Sequence, residues 1–213
     1  VSASPFTARV PEPYRILGLK LKPLSLGRYC LLRRFDCAFV SEEPDAIARP
    51  ADLVLGVFIC AQSCREFLEL LSNGKFQIEI QRWGHKLFET GPWAKHLPKK
   101  LRRPKPFNYV EKVALFKSYL SDSVKIPKYW EEHEGDANSS GAHWTDCMEG
   151  VLRGELNWTE GEVNERPLSK AIGDYYKWME SKGAIHLVSD DEDAEMAKMA
   201  AANEAAFAAL TRN

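Results

Sequence analysis

The sequence predicts a mainly α protein: a compact multi-helix domain with a short extended N-terminal arm and a C-terminal amphipathic helix. Two observations lead there. Apolar residues recur at helical spacing, as in Tyr109, Val113, Phe116 and Leu120, or Leu168, Ala171, Ile172, Tyr175 and Met179. Start and stop signals bracket many of these runs. The segment that alternates like a strand, Phe76, Ile78 and Ile80, also fits a helix through Trp83 and Leu87 and has no evident hairpin partner.

Taken in order, residues 1–23 hold Pro5, Pro11, Pro13 and Pro23, a density incompatible with a helix. An extended arm with one strand-like piece at 16–19 is expected. A helical domain then spans 24–188. Leu24, Leu31, Leu32 and Phe35 share one face, with Arg28, Arg33 and Arg34 read as lying largely off it. The run LVLGVFICA behind Asp52 is a candidate buried helix, and Ser63 with Glu66 forms a capping box opening FLELL. Asn73-Gly74 closes that helix. Residues 89–107 read as a basic, proline-rich loop. Asn108 caps the next helix, and 131–141 (EEHEGDANSSG) reads as a second long loop. Helix propensity resumes over 143–152. Pro167 opens a further helix that ends at Lys182-Gly183, an apolar bridge (AIHLV) follows, and Ser189 with Glu192 starts the C-terminal helix of 189–213.

Composition narrows the function. The 213 residues carry 29 basic and 30 acidic side chains, which argues against whole-surface binding to nucleic acid. The longest apolar stretch, 53–61, is far shorter than the ~20 residues of a membrane span. The N-terminus does not read as a secretory signal. Five cysteines without a framework pattern read as buried reduced thiols, and a cytoplasmic protein is expected.

No catalytic, cofactor or metal motif stands out: there is no nucleophile elbow, phosphate loop or paired zinc-ligand spacing, so a non-enzyme without cofactors is expected. The candidate sites are surfaces. Lys99, Lys100, Arg102 and Arg103 concentrate charge at 95–105 and could grip phosphates or an acidic protein. Met196, Met199, Phe207 and Leu210 run along one side of the last helix, and methionine-lined faces adapt to varied partners. The plainer alternative is that this stripe packs on its own domain.

Two segments also carry a family resemblance. One is ILGLKLKPLSLGRYCLLRRFDCAFV, at 16–40, followed by DLVLGVFIC, at 52–60; the other, PLSKAIGDYYKWMESKGAIHLVS at 167–189, leads into an acidic capping box. In order and texture they resemble tail assembly chaperones of long-tailed bacteriophages and prophages, over about a third of the chain. The resemblance implies a non-enzymatic factor in the bacterial host cytoplasm that keeps tape measure and tail tube proteins soluble during virion assembly. Two alternatives stand beside it: a structural particle component such as a neck or baseplate adaptor, and a nucleic-acid-binding helical module using 95–105.

Overall fold

A computed structural model describes residues 14–43, 46–88, 108–131 and 141–210, and it is mainly α. The described part of the expected arm folds back as a hairpin. Strands β1 (Arg15–Ile16) and β2 (Leu19–Lys20) pair antiparallel. Leu17 and Gly18 between them both have positive φ, 53° and 77°, as a two-residue type I′ turn requires. Ile16 is fully buried, and Tyr14 reaches Asp122 through its hydroxyl at 2.5 Å. This end of the segment therefore belongs to the core.

Helix α1 (Leu26–Arg34) follows its N-cap Ser25, whose hydroxyl accepts from the Arg28 N–H. A 3-10 turn (Ala38–Val40) leads to α2 (Pro50–Ala61), which has Pro50 in its first turn and Asp52 accepting the Arg49 N–H at 2.7 Å. Leu53, Val57, Phe58, Ile59 and Cys60 of α2 are all buried, as befits a helix apolar around most of its circumference. It is the central element, packed by α1, β2 and the helices that follow it. Those are α3 (Cys64–Ser72), opened by the expected Ser63–Glu66 box, and α4 (Phe76–Phe88), helical as read. Next comes α5 (Tyr109–Ser123), capped by Asn108. Gly56 lets α5 approach closely, since a Cβ there would lie 2.7 Å from the Phe116 ring.

The second half holds α6 (Trp144–Gly154), α7 (Glu160–Glu165) and α8 (Leu168–Ser181), followed by α9 (Asp190–Leu210). Strand β3 (Tyr129–Glu131) pairs antiparallel with β4 (Ile185–Leu187), so the expected apolar bridge is a strand. Its partner takes Glu131, the first residue of the segment read as a loop. Residues 132–140 and the basic loop 89–107 lie outside the described residues.

One expectation about α1 is corrected. Arg28 is 1% exposed, among the largest fully buried side chains of the core. A buried guanidinium must find acceptors for its donors, and this one does. Nε donates to the Gln62 carbonyl at 2.8 Å, and Nη1 to the Pro23 carbonyl at 3.0 Å and the Ser25 hydroxyl at 3.2 Å. Nη2 pairs with the Glu165 carboxylate. The other oxygen of Glu165 accepts the first N–H of α3, from Cys64, at 2.7 Å. Ser25 in turn donates to the Asn164 carbonyl. The starts of α1 and α3 are thereby tied to the end of α7. The fit leaves no room beside Gly27, where a Cβ would sit 2.9 Å from both the Asn164 Cα and the Cys64 sulfur.

Candidate partner-binding surface

The β3–β4 ribbon and the helix leaving it build one surface. Ile185 and Leu187 point inward and are buried, while His186 between them is exposed. The ribbon rests on α8, where the Glu180 carboxylate accepts the Leu187 N–H at 3.0 Å. Tyr129 meets Tyr176 with ring centroids 5.3 Å apart, and Tyr175 and Trp178 continue the row of rings along α8. Burial, with the Tyr129 phenol beside it, pushes the Tyr176 hydroxyl up to about 12. Tyr176 is therefore uncharged near neutral pH. On the outer side Trp130 stays 55% exposed and Ile126 58%.

Helix α9 is fastened at its base. Glu192 accepts from the Ser189 N–H at 2.7 Å and its hydroxyl at 2.9 Å, and Ser189 Oγ accepts the Glu192 N–H at 3.3 Å. His186 Nε2 lies 3.3 Å from the Glu192 carboxylate, and Lys128 on the approach to β3 pairs with Asp193 at 2.5 Å. Met196 is half-buried. With Pro127, Lys128, Tyr129, Trp130 and Val188 it lines an open cleft of about 350 Å³. Beyond Met196 every described side chain from 197 to 207 is exposed, including Met199 at 61% and Phe207 at 72%.

No family model, curated protein or solved structure matches this chain. The surface is read from its own chemistry.

The four expected stripe residues separate into groups. Met196 docks on the ribbon, so part of the stripe does pack on its own domain. Met199 and Phe207 continue the same side outward into solvent. Leu210 ends α9, and its side chain lies outside the described residues. So do Lys99, Lys100, Arg102 and Arg103. Nothing in the local sequence singles out Tyr129 and Trp130. The signal that could have found them is the period-two pattern of Ile185, His186 and Leu187, which implies a strand in need of a partner.

Elsewhere the chemistry is quiet. A broad basin of about 1230 Å³ beside the end of α1 is lined by Arg33, Arg34 and Arg49 and by Asp36, Glu42, Glu43, Asp52 and Asp146, so both signs of charge interleave with the acids in excess. Burial pushes the Cys37 thiol up to about 11 and the Cys60 thiol up to about 12, which leaves both protonated and unreactive near neutral pH. Among the described residues no cluster of three or more His, Cys, Asp or Glu could hold a metal ion, and no helix is long and apolar enough to cross a membrane.

The capping carboxylates make acid a probe of this architecture. Hydrogen bonds from Ser63 hold Glu66 down at about 2 against an ordinary 4.5, and Ser189, then His186, lower Glu192. A carboxylate depressed in the folded state stabilises it above the ordinary value and loses that contribution as pH falls through the folded one. Helicity followed by far-UV circular dichroism is therefore expected to decline between about pH 4.5 and 2. In Glu192→Gln, whose amide keeps the acceptor but not the titration, the part of that decline belonging to α9 should disappear.

Proposed function

We propose that this chain is a non-enzymatic protein-binding factor of the tail-assembly-chaperone kind, which covers helical stripes of tape measure or tail tube proteins until they assemble. One observation carries the reading. Helix α9 displays Met199 and Phe207 to solvent while its base, at Met196, opens into a cleft walled by Trp130 and Tyr129. An exposed apolar stripe that ends in a cleft matches helix-in-groove recognition, in which anchors recur at i, i+3, i+4 and i+7. Large aromatic residues at such a surface are the usual energetic anchors. The alanines around the stripe add little bulk, so a partner backbone can approach closely.

Co-expression with a tape measure protein tests this. The intact chain should keep that protein in the soluble fraction and co-purify with it. Met199→Glu combined with Phe207→Glu should lower recovery of the complex by about tenfold or more, since truncating a central anchor costs about 2 kcal/mol or more. Unaltered recovery would remove α9 from the binding surface. Recovery of the chain in purified particles would move the assignment to a structural particle component.

A further inference from the structure

We infer that the α9 stripe receives a cationic amphipathic helix of a partner protein rather than a second copy of this chain, an inference that rests on the protein-binding reading above. At about 100° per residue, Met196, Met199, Asn203 and Phe207 share one face of α9. Asp193 and Glu204 border that face on one side, with Ala200 between them. Glu195 borders it on the other, beside Ala202, with Asp191 farther round the helix. The α9 charges that flank the stripe are thus Asp193, Glu195 and Glu204, all acidic. Lys198, the basic residue of α9, lies toward the far side, seven residues after Asp191 and in line with it. Asp193 is paired with Lys128, whereas Asp191, Glu195 and Glu204 have no cationic partner among the described residues.

The charge pattern selects the occupant. A parallel second copy would set each carboxylate against its twin, and an antiparallel copy would offer only further acids along its described borders. Like charges so placed oppose association. Phosphate backbones and anionic lipid surfaces are repelled from this face for the same reason. A helix bordered by Lys or Arg gains attraction along both edges. Ala200 and Ala202 leave space for it to lie close. The base of α9 is of mixed charge, since Lys128 pairs with Asp193 and lines the cleft beside it. There a large apolar side chain can enter the cleft between Trp130 and Met196.

Two synthetic helical peptides with the same leucine stripe, one bordered by Lys and one by Glu, test this against the full chain by fluorescence anisotropy at low and high salt. The lysine peptide should bind about tenfold or more tighter than the glutamate peptide, and added salt should narrow the difference. In Glu195→Lys/Glu204→Lys the preference should reverse, and Met199→Glu should weaken both peptides. Equal binding of the two peptides, abolished by Met199→Glu, would overturn the charge assignment and leave the protein-binding reading standing. Binding of the lysine peptide that Met199→Glu leaves intact would mark bare charge attraction and overturn the site. Sedimentation showing a dimer that Met199→Glu dissolves would assign the face to a second copy instead.

Discussion

Replacing Arg28 with Ala should destabilise the fold by about 3–5 kcal/mol, the range observed when one partner of a buried ion pair is removed. The loss is spread over several groups. The carbonyls of Gln62 and Pro23 would lose the guanidinium donors they now accept. Glu165 would hold its position at the start of α3 without a counter-charge. At about 2–4 °C per kcal/mol for a chain of this length, thermal unfolding should occur about 6–20 °C lower. Arg28→Lys should recover little of this, because one ammonium cannot serve acceptors that a planar guanidinium reaches on different edges. Glu165→Gln should be milder, since an amide oxygen still accepts from Cys64. A midpoint within 2 °C or so of the parent for Arg28→Ala would mean that this network adds nothing net.

The second large effect is expected at Phe67. Its ring is fully buried, with centroids 5.6 Å from Phe35, 6.3 Å from Phe58 and 5.3 Å from Phe76. Phe67→Ala should cost about 3–5 kcal/mol through lost burial and the cavity left behind, with a further contribution from edge-to-face contacts worth about 0.5–1.5 kcal/mol each. The damage should concentrate in α4. Phe76, at its start, packs on Phe35, Phe58 and Phe67, while Gln77, Ile78, Gln81 and Arg82 face solvent. Hydrogen exchange should therefore show α4 amides losing protection well before those of α2. Phe67→Leu should restore most of the stability, and uniform loss of protection across the chain would contradict this local picture.

Much of the helical framework was legible because its signals are local. A serine and a glutamate three residues apart announce α3 and α9, and both boxes form. Gly74 and Gly183 mark helix ends and take the positive φ that their position demands. What escaped the sequence is mostly non-local. Arg28 stands four residues after Leu24 and three before Leu31, within the apolar stripe, yet its acceptor Glu165 is 137 positions away. The β3–β4 ribbon joins two three-residue strands more than fifty positions apart, too short to show a firm period. The hairpin turn is Leu17-Gly18 and lacks the Asn-Gly or Asp-Gly pair that advertises type I′ geometry. Helix α7 is the exception, since Thr159 and Glu162 form a capping box visible in the sequence. For the partner-binding surface, the methionine stripe was legible and its aromatic wall was not.

The tie between Arg28 and Glu165 also bears on the order in which the molecule comes together. Contacts spanning so much chain are entropically costly to form early, because the intervening loop must close before they contribute. The α1–α2 region holds shorter-range contacts that can form first, and α7 is then expected to be captured late. Interactions made after the folding barrier act on the rate of opening rather than of closing. The network is accordingly expected to work as a latch: Arg28→Ala should speed unfolding while leaving the refolding rate nearly untouched, as stopped-flow fluorescence would show.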